Sequence, residues 1–180
     1  SESGERVAAD MSAAIYTDDA FSRAAGVLAA LGIMEGKSED DFGAEDSLTR
    51  AEMCTVAVRF MGMDSESGTA QRSGYTDVAD DHWARFYIDT ASAMGIVAGN
   101  GDGTFRPDDT VTGEQAVKIL VCALGYEPKA WDKGGFPSGY TAVANELGLL
   151  KGVKLISGGA PITRRQIAVL TYNALDAELM

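Results

Sequence analysis

LTRAEM, at residues 48–53, reads as a helix about to begin: a Thr, a Glu three places on, and an apolar run behind them. The Thr hydroxyl is placed to accept from the N3 amide while the Glu reaches back to the Thr amide, a reciprocal capping box. The construction returns as VTGEQA at 111–116 and ITRRQI at 162–167. Thr49 with Glu52, Thr112 with Gln115 and Thr163 with Gln166 therefore predict three helix starts built alike. One such box arises by chance in many proteins, whereas three in one chain point to duplication. The residue after the Thr raises a second question. It is Arg50 in the first copy and Arg164 in the third, a cation facing the positive end of the helix dipole, where an acid is favoured.

Upstream of each Thr stands a glycine element: LGIMEG at 31–36, MGIVAG at 94–99 and LGLLKG at 147–152. The distance from its last Gly to the Thr is 13, 13 and 11 residues, so the two elements travel together. Helical periodicity precedes each glycine element through Phe21, Ala24, Leu28 and Leu31, then Ala84, Tyr87, Ala91 and Met94, then Tyr140, Val143, Ala144 and Leu147. Gly32, Gly95 and Gly148 follow the last periodic residue, where a left-handed cap favours glycine. After each Thr a second stripe begins, led by Met53, Ala116 and Ile167. Each unit is predicted to be a helix, a glycine-bearing loop and a capped helix, with polar joins at 62–74 and 132–139. The expected division is residues 1–63 with an N-terminal helix, 64–128 and 129–180, packed together as one domain.

Composition bounds the function. At 180 residues and 46% hydrophobic, the chain is long enough for a substantial core. A net charge of −12 argues against a nucleic-acid partner, where neutralisation of phosphate dominates binding. No apolar run approaches the roughly 20 residues of a spanning helix. Cys54 and Cys122 lie on different predicted helices without metal-ligand spacing, and His82 is the sole histidine, so a zinc site lacks ligands. Free thiols or a disulfide both fit the two cysteines. The loop GNGDGTFRPDDTVT alternates Asn100 and Asp102, but aligning Gly103 with the sixth position of a calcium loop puts Ala98 first, where an acid belongs. No metal or cofactor is expected. The polar start SESGER reads as a trimmed end.

With these residues in place, the sequence resembles the S-layer homology family, whose units join a GxxxG-type loop to a TRAE-like helix start. The middle unit carries the likeness most fully, through YTDVADDHWARFYI followed by MGIVAGNGDGTFRPDDTVT. The first unit keeps LTRAE but lacks the tryptophan turn, the second has Gly113 in place of Arg, and the third lacks the GDGTF loop. The resemblance implies an all-α fold of three repeats in pseudo-threefold array about a central helical bundle, with ligand grooves between neighbouring units. It also implies a non-catalytic, extracellular anchor on a bacterial cell wall, attached to a larger surface protein. Its expected partner is a secondary cell-wall polysaccharide bearing pyruvyl carboxylates. Two other classes remain open: a structural or protein-interaction module of a surface assembly, and a glycan-active enzyme using two of the many carboxylates.

The arginine puzzle acquires an answer on this reading. A helix start offers unpaired amides and a positive dipole end, and a guanidinium at N1 adds a planar donor for carboxylate. Arg50 and Arg164, beside Thr49 and Thr163, are the expected ligand-binding pairs; alternatively the arginines lie in solvent or pair with Glu45 or Asp46. Gly99 closes the middle glycine element and joins the expected site. Trp83 fits either a sugar-facing role or the core, and Asp77 either a ligand contact or a turn cap. Trp131, outside the repeated pattern, is assigned to packing.

Overall fold

Leu48, Val111 and Ile162, each the residue before a capping Thr, hydrogen-bond to one another in a closed ring. Val111 N–H donates to the Leu48 carbonyl at 3.0 Å, Ile162 N–H to Val111 at 2.8 Å and Leu48 N–H to Ile162 at 3.3 Å. All three side chains are buried. In this computed structural model, which describes residues 16–38, 41–66, 68–154, 158–177 and 179, the ring marks a pseudo-threefold axis from which three capped helices depart. Residues 1–15, including the polar start, lie outside the described residues.

The described chain is helical, and its β-pairing is confined to isolated bridges. In order the helices are α1 (Tyr16–Ala30), α2 (Arg50–Phe60), α3 (Arg85–Ala93), α4 (Gly113–Ala123), α5 (Glu127–Asp132), α6 (Ser138–Glu146) and α7 (Arg164–Ala174). The capped helices α2, α4 and α7 each begin with the predicted reciprocal box: Thr49 with Glu52, Thr112 with Gln115, Thr163 with Gln166. Their apolar stripes fill one core, with Met53, Ala116, Leu120, Ile167 and Leu170 fully buried. Gly32, Gly95 and Gly148 take the left-handed conformation at φ of 70°, 73° and 77°, ending α1, α3 and α6 as the sequence predicts.

Apart from the short α5 on the adjacent α6, the main helix contacts cross between repeats. α1 of the first repeat packs on α7 of the third, α3 of the second on α2 of the first, and α6 of the third on α4 of the second. Each repeat thus lends its first helix to its predecessor around the axis, so no repeat holds a core of its own. α4 also touches α2 and α7.

Two expectations about side chains need correction. Leu31 and Met94 end their stripes exposed, because the chain turns away at the following glycine before the last position reaches a neighbour. Trp131 is 67% exposed rather than packed. The short α5 turns Ala130 to the core, which leaves the adjacent Trp131 directed away from it. Cys54 is a buried free thiol and Cys122 a half-buried one, so the disulfide alternative is not realised.

Two substitutions separate the ring from the caps. Leu48→Ala removes a buried side chain at the axis and is expected to lower unfolding free energy by about 2–5 kcal/mol. Thr112→Ala, which removes only a cap, should lower it by about 0.5–2 kcal/mol. Equilibrium denaturation of both variants measures the order, and an equal or reversed order contradicts the central place given to the ring.

Candidate functional site

In the first and third repeats the arginine after the capping Thr turns away from its own helix and grips the loop of the next repeat around the axis. Arg50 Nε donates to the Phe105 carbonyl and Nη2 to the Ala98 carbonyl, both at 2.9 Å, and the guanidinium lies 4.3 Å from the Phe105 ring centre. Arg164 repeats this on the first repeat: Nε to the Phe42 carbonyl at 2.9 Å, Nη2 to the Glu35 carbonyl at 2.6 Å, and the Phe42 ring 4.9 Å away. The unfavourable dipole term is offset by these charge-assisted bonds and by the aromatic face.

The first two amides of the same helices are occupied as well. Arg50 N–H donates to Asp109 and Ala51 N–H to Pro107, while Arg164 N–H donates to Asp46 and Arg165 N–H to Ala44. The expectation of free amides beside the arginines is therefore corrected: with N3 held by the Thr, the helix start is a clamp on a neighbouring loop. The alternative of pairing with nearby acids holds only in part: Arg164 Nη1 stands 3.6 Å from Glu52 Oε2, but neither Glu45 nor Asp46 takes either arginine as its side-chain ion-pair partner. Glu45 pairs with Arg165 and Asp46 with Lys37.

Each clamp leaves a groove beside it. The groove at Arg50, of about 200 Å³, is lined by Ile96, Val97 and Ala98 from the glycine loop, Gln115, Lys118 and Ile119 from α4, and Phe136. The groove at Arg164, of about 160 Å³, is lined by Ile33, Met34 and Glu35, then Glu52, Thr55, Val56 and Arg59 from α2, with Trp83. The two are threefold mates, position for position along the loop and the capped helix. Trp83 and Phe136 correspond too, each standing two residues before the first residue of α3 or α6. At 61% and 50% exposed they are available to a ligand. The core alternative for Trp83 is thereby removed, since only an adjacent residue, Ala84, is fully buried. Phe136, Lys118, Gln115 and Glu35 escape the sequence reading. The signal for Phe136 was its offset from the helix start, obscured by the different residue type.

The remaining expected residues shape the walls. Thr49 and Thr163 spend their hydroxyls on the caps. Asp77 accepts from Phe105 N–H and Arg106 N–H, one on each carboxylate oxygen at 2.8 Å, and so holds the loop that Arg50 grips. Burial pushes the Asp77 carboxyl up, but the amides of Phe105 and Arg106, with its own, outweigh this and keep it below the usual carboxylate range. Arg106 sits at φ 59°, a strained position for a non-glycine residue that this carboxylate helps to hold. Gly99 is required by close packing, because a Cβ there meets Tyr75 at 2.5 Å. Asp102 and Asn100 are committed within their own turn, Asp102 to Thr104 and Arg106 and Asn100 to the Thr104 carbonyl. Behind the Arg50 groove, Glu127 Oε2 accepts from the Cys122 thiol and the Tyr140 hydroxyl, each at 2.9 Å. Burial, with that carboxylate, pushes the Cys122 thiol up to about 12, so it stays protonated and unreactive.

Comparison with known sequences agrees with this architecture. The S-layer homology domain pattern matches residues 15–54 and 74–117. The surface layer protein of Brevibacillus choshinensis is 37% identical over 96% of this chain and 15% of its own length. The middle cell wall protein of Brevibacillus brevis is 36% identical over 85% of this chain and 14% of its own. The cellulosome-anchoring protein of Acetivibrio thermocellus is 33% identical over 52% of this chain and 21% of its own. The chain thus spans a small part of each of these relatives.

Arg164 is only 8% exposed and serves two carbonyls, so its removal does not leave the fold untouched. Arg164→Ala is expected to lower unfolding free energy by about 2–3 kcal/mol, since it removes a buried cation with two charge-assisted bonds to part-buried carbonyls, with Arg50→Ala costing less. Chemical denaturation of both variants checks the order. Asp77 supplies a pH test. Its folded pKa lies below its ordinary value of 3.8, so its contribution is complete above that value and is lost as pH falls through the folded pKa. Asp77→Asn should flatten the acid limb of the stability profile below about pH 4; an unchanged limb contradicts the assignment.

Proposed function

Because this chain is a member of the S-layer homology domain family, we propose that it anchors its parent protein by gripping an anionic cell-wall polysaccharide in the grooves between repeats. Its place is the bacterial cell surface, and its coarse role is attachment to the cell wall. Among the described residues no helix is long and apolar enough to cross a membrane. The module acts without catalysis, by binding alone.

The observation that carries this reading is the pair of threefold-related grooves, each with an arginine at its floor and an exposed aromatic at its rim. An aromatic face beside a fixed cation suits a sugar ring bearing a carboxylate, such as a pyruvyl ketal. At about 200 Å³ and below, the grooves are smaller than the roughly 300–1,000 Å³ of ordinary small-molecule pockets, which fits one terminal sugar with the polymer outside. Arg50, Arg164 and Trp83 are assigned as ligand-facing. Thr49, Thr163, Asp77 and Gly99 support them by fixing the helix starts and loops.

Co-sedimentation with purified cell walls tests the proposal. The chain is expected to pellet with native walls and to remain in solution after mild acid removal of the pyruvyl groups. Equal binding to both preparations overturns carboxylate recognition. Failure to bind walls, with binding to a purified surface protein, favours a protein-interaction module instead.

A further inference from the structure

The short helix α5 stands outside the threefold plan. It occupies the join between the second and third repeats, whereas the join between the first and second, 62–74, carries no helix among its described residues. Its attachment is accounted for by Ala130, buried in the core, and by Glu127, bonded to Cys122 and Tyr140. Trp131 takes no part in that attachment. At 67% exposed it is more open than Trp83 or Phe136, and leaving an indole in water carries a hydrophobic cost that packing here does not return.

The indole is nonetheless held in place. A Cβ added at Gly135 would meet Trp131 Cε3 at 4.0 Å, so the ring lies against the backbone of that glycine, which is buried and left-handed at φ 73°. The elbow is tied back to α5 by Gly134 N–H on the Trp131 carbonyl at 3.1 Å and Gly135 N–H on the Ala130 carbonyl at 2.9 Å. One side of the ring is thus backed by the chain and the rest is open, a flat surface oriented before any ligand arrives. The residue after Gly135 is Phe136, which lines the Arg50 groove. At the same offset before Trp83 stands Val78, which is buried, so the Arg164 groove has no counterpart. Next to the indole, Asp132 and Lys133 are exposed. A single aromatic plane among charged residues is unlike the contiguous apolar patch of a protein interface. It suits a sugar ring, whose C–H face lies on the indole while its hydroxyls reach polar neighbours.

Resting on the reading that a groove takes the end of a wall polysaccharide, we propose that Trp131 is a further sugar-binding site outside the grooves, a platform for uncharged rings in the body of the polymer. A groove of about 200 Å³ admits one terminal sugar, so the remaining sugars leave it over the rim that Phe136 forms. Trp131 is the next exposed aromatic on the same elbow. Contact with the body of the polymer adds to contact with its end, because a chain already seated in the groove presents its following sugars at high effective concentration. The platform also gives the polymer a fixed direction of exit on the Arg50 side alone.

The test uses the chain labelled with fluorotryptophan, whose two indoles give separate fluorine resonances assigned through Trp83→Phe and Trp131→Phe. It is titrated with purified cell-wall polysaccharide cut to its terminal sugar and to fragments of several sugars. The Trp131 resonance is expected to move with the longer fragments and not with the terminal sugar, and the longer fragments to bind about three- to tenfold more tightly. Trp131→Ala should abolish this gain with length, and Trp131→Tyr, which keeps an aromatic face, should retain most of it. Thermal unfolding checks that the variants fold, as expected for an exposed helical position where Ala is well tolerated. A gain with length that persists in Trp131→Ala, or a Trp131 resonance untouched by the longer fragments, overturns the inference and leaves groove binding standing. A resonance that moves only with a purified surface protein gives the indole to protein docking and likewise overturns it. Failure of every fragment to bind removes both readings.

Discussion

A ring of three backbone hydrogen bonds is the constraint on which the rest of this molecule depends. Leu48, Val111 and Ile162 each give their N–H to one neighbour and their carbonyl to the other, so none can move without breaking two bonds. Their buried side chains exclude water from these bonds, and unpaired polar groups at that depth are costly. One residue later comes the capping Thr in every case, which means that the ring fixes the position and direction of α2, α4 and α7 together.

From that anchor the chain builds outward by exchange. Each first helix packs on the capped helix of the preceding repeat, and each arginine-bearing helix start clamps a loop belonging to the next. Gly113 becomes intelligible in this frame. Arg50 and Arg164 clamp loops that run 13 residues from glycine to Thr, whereas the loop facing Gly113 belongs to the third repeat and runs only 11. The arginine is absent where its loop is shortened. A feature that reads in isolation as a lost binding residue is, in the assembled structure, a lost clamp.

Under the proposed function the same clamps prepare the grooves for binding. A guanidinium held by two carbonyls and an aromatic ring is already oriented, so little rotamer entropy remains to be lost on binding. Because the grooves lie between repeats, their shape is set by the shared scaffold and their chemistry by the few residues that vary. Glu52 and Gln115 illustrate the point. They make the same capping bonds, yet Glu52 adds a negative charge to the lining of its groove and Gln115 adds none.

Local chemistry made much of this legible without coordinates. Three capping boxes, three left-handed glycines and the helical stripes between them depend on side chains and neighbours within a few residues, so the sequence alone determined the two helices of each repeat and the threefold repetition, though not the short α5. It also singled out Arg50 and Arg164, because a cation against a helix dipole is a local anomaly, whereas Trp83 was marked only by the family resemblance. Tertiary structure decided what they touch. Only the fold could show that the helix amides are taken, that Trp83 and Phe136 occupy equivalent rims, and that Lys118 and Glu35 belong to grooves at all. Those facts depend on which repeat lends its helix to which, a choice made by long-range packing around the ring and written in no single stretch of the chain.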